Sequence, residues 1–449
     1  MAATKKKLYV GVDVGGTKIL AALTTAAGTV LARRRVRTPH EATPEDTVDA
    51  IATTIEKLLE KADADPANLA AIGVAIPGVV DPDTGTVVIT PNMNLTGVPI
   101  VEQIRKRIDV PVALGNDANL GTLGEKWLGS ARTAEDVVGV FIGTGIGGGI
   151  LIGGKPVRGN REVAGEIGHM VMKVGGPKCG CGAKGCLEAI ASRTAIDRDI
   201  RKAISGGKKS IISDLVDLKK DRIRSGALQS ALEANDKVVT RVITKAAETI
   251  GYALLSIRHL LDPELFVLGG GVVEASGQFI QPIVQEILDS DPLTGARPGG
   301  KIVQSALEDD AVALGAAALA LQSIGKNPFK RTAADLPHYP EIKDVSERAF
   351  LVGGTDYEKG FLVRVSGNTK KVKKKQRKGA IGEKLIRKTI KGGPDVVFIG
   401  AGPDGSIELD SAAEGLLQNR AIDYEVLTVE EAVNKFRKTR KRKALLIRV

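Results

Sequence analysis

His169, Cys179, Cys181 and Cys186 fall in one glycine-rich stretch, GHMVMKVGGPKCGCGAKGCLE, with the spacing His-x9-Cys-x-Cys-x4-Cys. These are all the cysteines of the 449-residue chain. One imidazole and three thiolates make a closed tetrahedral set that suits a structural Zn²⁺ and leaves no position for water. The intervening Gly and Lys residues suit a tight knuckle. A disulfide plus one free thiol is the alternative. It is disfavoured because three closely spaced cysteines, in a chain expected to be cytoplasmic, do not make a disulfide framework.

A second group of residues can do phosphoryl chemistry. In ALGNDANLG, Asn116 and Asp117 follow an apolar strand, and a carboxylate there can take the proton of a hydroxyl as it attacks a phosphoryl group. The same pair also reads as a helix N-cap, and the two roles are compatible. Glu166 and His169 in AGEIGHM, with Glu188 in GCLEAIAS, supply the polar groups needed to read vicinal hydroxyls. Glu188 also reads as a first-turn helix carboxylate.

Two glycine-rich turns follow apolar strands. DVGGTK brings Asp13, Gly15, Gly16, Thr17 and Lys18: backbone amides that can face phosphate, a hydroxyl, and a carboxylate suited to Mg²⁺. GTGIGGG brings Gly143, Thr144, Gly145 and Gly147. It contains G-x-G-x-x-G, but a short apolar run closed by Gly-Gly follows it where a dinucleotide site needs a helix, so that reading fails. LFVLGGGVV places Gly270 and Gly271 after a third strand, where flat adenine and ribose can lie against backbone; a tight strand-to-helix turn is the alternative.

These residues need a scaffold, and strand-like and helix-like segments alternate through residues 1–325, which predicts α/β architecture. LYVGVDVGGTKILAAL and VVGVFIGTGIGGGILIGG share one pattern of strand, glycine turn and strand, so two related lobes gripping a nucleotide's phosphates are expected. From residue 326 to 348 the pattern gives way to Pro and charge, as a linker does. Strand candidates GFLVRV, DVVFIGAG and KALLIRV then predict a small α/β domain over 349–449.

Composition excludes several classes. No apolar run reaches membrane-spanning length, and no secretory leader is expected ahead of the first strand. The formal charge is +11, but residues 351–449 alone hold 22 Lys and Arg against 12 Asp and Glu. The remainder is nearly neutral and needs no nucleic acid partner. The basic runs KKVKKKQRK and FRKTRKRK have few aromatics for base stacking, so a solvated face is expected, with weak polyanion contact as the sharper option.

In order, DVGGTK, IPGVVD, GNDAN, GTGIGGG, EIGH, CGCGAKGC and GGGV resemble the ROK family of bacterial sugar kinases over roughly residues 7–325. The resemblance implies an actin-like, hexokinase-type fold of two ribonuclease-H-like lobes: residues 1–122 with 311–325 returning to them, and residues 123–310. It implies Asp117 as catalytic base, sugar contacts from Asn116, Glu166, His169, Glu188 and the Gly78 backbone, and zinc on His169 and the three cysteines. The run is most similar to ATP-dependent glucokinases. Fructose, mannose and N-acetylhexosamine kinases share these motifs, and a homodimer or homotetramer is expected. Some members are sugar-responsive repressors with an N-terminal helix-turn-helix; the first strand begins by residue 8, which argues against that reading here. The tail resembles a small-domain family that includes a mitochondrial complex I assembly factor.

Overall fold

The apolar run LYVGVDV forms β1 (Leu8–Val14), which turns at the first glycine pair into antiparallel β2 (Lys18–Thr25) and then β3 (Val30–Arg37). These strands belong to a computed structural model that describes all residues except 1–6, 40–42, 92, 294, 296–298, 331–337, 347–348, 359, 377–378, 403–404 and 449. The end of the basic run at 370–378 and part of the stretch 326–348 therefore lie outside the described residues. The chain divides into two units, Met1–Arg132 with Asp310–Val449, and Thr133–Asp309.

In the first unit, helix Pro44–Lys61 starts where Thr43 and Asp46 close a capping box with Pro at the first turn, a local signal strong enough to set the boundary. β4 (Leu69–Ile76) then runs parallel to β1. A hairpin follows, β5 (Val79–Asp81) with β6 (Thr86–Ile89), and β7 (Val112–Asn116) completes the order β3-β2-β1-β4-β7. Val10 and Val12 share a core with Ile51 and Ile55 of the capped helix. The alternate residues Gly11 and Gly73 lie against the backbone of helix Ala311–Ser323. That Ala-rich helix is buried nearly all round, as expected of one packed across β1, β4 and helix Asp117–Leu128. With both faces covered, β1 and β4 read as continuous apolar runs.

The second unit repeats the scheme. β8 (Val137–Ile142) turns into antiparallel β9 (Ile146–Ile152) and short β10 (Lys155–Pro156). β11 (Leu265–Gly269) runs parallel to β8, and β12 (Lys301–Gln304) parallel to β11, giving the order β10-β9-β8-β11-β12. Helices Lys237–Leu261 and Gly271–Asp289 bury Ile250, Leu254, Ile280 and Val284 in its core.

The C-terminal part has a sheet and cores of its own within the first unit. β13 (Ile342–Ser346), β14 (Ala349–Val352) and β15 (Thr355–Glu358) form an antiparallel meander; β13 lies inside the stretch expected to be a linker. β16 (Gly360–Val363), β17 (Thr369–Lys371), β18 (Val396–Ala401), β19 (Asp423–Leu427) and β20 (Lys443–Arg448) then order as β17-β16-β20-β18-β19. One face packs on helices Glu383–Thr389 and Ser411–Asn419, the other on helix Val429–Lys438 and the meander, so β18 and β20 are buried throughout. Arg132 Nε pairs with Asp395 at 2.8 Å, and Arg442 Nη1 donates to Leu128 O at 3.0 Å, tying this sheet to the N-terminal body.

Candidate functional site

In the first unit the candidate residues gather where the parallel strands end. Register pairs Asp13 of β1 with Ala75 of β4, and Ala75 with Gly115 of β7. Asp13 and Gly115 thus share one row two strand spacings apart, about 10 Å, and Asn116 and Asp117 follow at once. Open parallel sheets bind ligands at this carboxyl edge. Asn116 caps helix Asp117–Leu128: its Oδ1 accepts from the backbone N–H of Ala118 at 2.9 Å and of Asn119 at 3.1 Å. Its Nδ2 donates to Gly78 O at 3.0 Å, which draws the turn after β4 to the same place. Asp117 is half-buried at the first helical position, and its Oδ1 accepts from Ala118 N at 2.8 Å. The turn Gly15–Lys18 is closed by Gly15 N donating to Lys18 O at 2.9 Å, with Gly16 and Thr17 exposed at its tip.

In the second unit, Gly143 N donates to Gly145 O at 2.9 Å and closes the matching turn, which includes Thr144. Register sets Gly269 beside Phe141, so the Gly270–Gly271 helix start shares an edge with that turn. Gly270 has φ +85°, and a side chain there would strike Ile142 O. Gly147 lies in β9, paired with Phe141.

Glu188 joins two motifs that look separate in the sequence. Its Oε2 accepts from Ile146 N at 3.0 Å, directly after the glycine turn, while its Oε1 lies 3.5 Å from Cys179 Sγ. A Cβ at Gly145 would collide with the same carboxylate. The residue expected among sugar contacts thus also braces the turn against the knuckle.

His169, Cys179, Cys181 and Cys186 place their ligand atoms within 4.8 Å of one another. Cys181 Sγ and Cys186 Sγ are 3.8 Å apart, and His169 Nδ1 is 3.8 Å from Cys179 Sγ. A zinc tetrahedron with bonds of about 2.3 Å has sulfur–sulfur edges of about 3.8 Å, so the donor set fits that ion. Nδ1 of His169 faces the sulfurs, and Nε2 lies 3.8 Å from Glu166 Oε2, a carboxylate partner of the kind that orients ligating imidazoles. Burial pushes the Cys179 thiol up to about 12, whereas the N–H of Ala183 holds the Cys181 thiol down.

Arg193 is a residue the motifs did not single out. Its N–H donates to Gly143 O at 2.9 Å, and its Nη2 donates at 2.7 Å to Ser225 Oγ, which donates on to Gly271 O at 2.9 Å. It fastens the Gly143 turn and the Gly271 helix start, yet only its place seven residues after Cys186 marks it in the sequence.

The ROK family model matches residues 9–323. A glucokinase of Thermotoga maritima is 33% identical over 323 residues, 71% of this chain and 99% of that protein. A xylose repressor of Caldicellulosiruptor bescii is 28% identical, covering 70% of this chain and 78% of the repressor. A ROK family glucokinase from Streptomyces griseus, solved with glucose and AMPPNP, is 32% identical with TM-score 0.62, covering 70% of this chain and 99% of that one.

Proposed function

The chain belongs to the ROK family, and from that premise we propose that it transfers the γ-phosphoryl group of ATP to the 6-hydroxyl of glucose. The products are glucose 6-phosphate and ADP. The architecture of the relatives is the actin-like, two-lobed one, and the repeated sheet order here agrees with it. The observation that carries the reading is the carboxyl edge of the first unit's sheet, where Asn116 ties the helix start to the Gly78 carbonyl and Asp13 ends the same row of strands.

In this mechanism Asp117 accepts the proton of the sugar hydroxyl as its oxygen attacks the γ-phosphorus in line with the departing ADP. Asn116 holds the helix start, and so the carboxylate, in place. The turns at Gly15–Lys18 and Gly143–Gly145 direct amides at the phosphates, and Asp13 offers an oxygen to Mg²⁺, which when bound neutralises phosphate charge. Gly270 and Gly271 leave backbone bare for adenosine. Glu166, His169 and Glu188 hydrogen-bond sugar hydroxyls, and discrimination comes from the cost of leaving any of these groups unpaired. Zinc on His169, Cys179, Cys181 and Cys186 supplies rigidity, not reactivity. The working form is a homodimer or homotetramer.

The test is ADP release with glucose, fructose, mannose and N-acetylglucosamine, with ATP or polyphosphate as donor. Glucose with ATP is expected to give the highest kcat/KM. A second reading, a non-catalytic sugar-responsive regulator, has one observation behind it: the xylose repressor relative. Tight hexose binding without ADP release from any sugar favours that reading and overturns the first.

A further inference from the structure

Three helices of the second unit begin around one side chain, that of Arg193: Arg193–Ser205, Ser225–Glu233 and Gly271–Asp289. The first is stitched to the glycine turn. Arg193 N donates to Gly143 O at 2.9 Å, and Thr194 Oγ1 donates to Thr144 O at 2.8 Å. The side chain then crosses to the other two. Its Nη2 donates to Ser225 Oγ at 2.7 Å, and that hydroxyl donates to Gly271 O at 2.9 Å. A Cβ at Gly271 would lie 2.5 Å from the same Nη2, so the guanidinium rests directly on glycine backbone.

That backbone has little to hold it locally. Gly270, at the N-cap, has φ +85° and no side chain to bond the first turn. Glycine loses the most freedom when it is ordered, and a site that is ordered only as its ligand arrives binds less tightly than one held beforehand. The relay from Arg193 through Ser225 supplies the hold from outside, across sequence gaps of 32 and 46 residues. Burial lowers the pKa of Arg193, and the charge of Glu274, in the first turn of helix Gly271–Asp289, opposes that shift. The guanidinium therefore acts here through a directed hydrogen bond, with an acidic group near it.

Resting on the ATP reading above, we infer that Arg193 is a positioning residue of the nucleotide site: through Ser225 it fixes the Gly270–Gly271 peptide assigned to adenosine, and so sets ATP and ADP affinity. Its main-chain bond to Gly143 is independent of its side chain. Truncating the side chain frees the adenosine ledge and leaves that bond at the phosphate turn in place. Asp117 and the groups assigned to sugar hydroxyls take no part in the relay, so hexose binding and the chemical step are not touched.

The experiment is calorimetric titration of the full chain with ADP and, separately, with glucose, on the native sequence, Arg193→Ala, Ser225→Ala, the double variant and Arg193→Lys. ADP is expected to bind about tenfold more weakly to either alanine variant, the size of one lost hydrogen bond. The double variant is expected to be no weaker than the singles, because both break the same relay. Arg193→Lys keeps a donor for Ser225 and recovers most of the loss. Glucose affinity stays at the native value throughout. In turnover the loss appears as a higher KM for ATP at unchanged kcat, the mark of binding lost equally from ground and transition states. Native ADP affinity in Arg193→Ala or Ser225→Ala overturns the inference. So do losses that add in the double variant, and so does a parallel fall in ADP and glucose affinity, which marks a merely structural role. The kinase reading fails separately: the expected ADP pattern in a chain that turns over no sugar removes the transfer and keeps the role of Arg193. A native chain that binds no ADP removes both.

Discussion

The sheets of the two units share a strand order, and each turns its first hairpin on glycines, yet their carboxyl edges carry different chemistry. In the first unit β7, the outer of the two parallel strands, leads to an amide and a carboxylate, Asn116 and Asp117, at a helix start. In the second, the parallel neighbour β11 leads to a helix start with no side chain at all, Gly270 and Gly271. The second unit then adds what the first lacks: a cysteine knuckle coupled through Glu188 to the glycine turn. One sheet order thus gives two carboxyl edges whose helix starts follow different strands, β7 and β11, and divide between a carboxylate and bare backbone.

If that division holds, Asp117→Asn has the largest effect of any single change. A fall in kcat of about a thousandfold is expected, the range of a lost general base, with melting temperature nearly unchanged in a coupled ADP assay and parallel thermal scans. Near-normal turnover would erase the contrast. Next comes the knuckle. Cys186→Ser is expected to lower bound zinc from about one per chain to none by elemental analysis, and to weaken hexose and ATP affinity by about ten- to a hundredfold. A native protein free of zinc removes the structural role.

Acidity gives a third measure. Ligating thiols must lose their protons, and burial holds Cys179 in the protonated form. Zinc uptake therefore releases protons, and its apparent affinity should rise with pH, by about tenfold per unit for each proton released at uptake. A competition titration between pH 6 and 8, chosen as roughly the working range, checks the sign; affinity that falls with pH contradicts thiolate ligation. The smallest effect separates two glycines of one turn. Gly145→Ala forces a methyl group into Glu188 and should cost about 1–3 kcal/mol, whereas at Gly143 an added Cβ meets nothing within 4 Å. Equal melting temperatures for the two variants would show that Glu188 does not brace the turn.

Much of this was legible in the sequence wherever a local signal decides the outcome. The glycine turns set both hairpins. The cysteine spacing anticipated the ligand cluster, because a knuckle of eight residues has few ways to arrange its sulfurs. Contacts made at a distance were not legible. Nothing near Glu188 announces Ile146, 42 residues earlier, and nothing near Arg132 announces Asp395. The row shared by Asp13 and Gly115 follows from sheet register, which long crossovers set and no single segment displays. β13 was missed because its stretch of Pro and charge hides a short strand that, among the described residues, pairs with its neighbour in the meander alone.

The place of β20 carries a consequence for assembly. It fills the gap between β16 and β18, though about 80 residues of chain separate it from the former and about 40 from the latter. Until it arrives, two strands offer bare edges to each other and to any stranger. Closure of this layer should therefore be slow, all-or-none and vulnerable to misassociation, well after the hairpins β1–β2 and β8–β9 have zipped from their own turns.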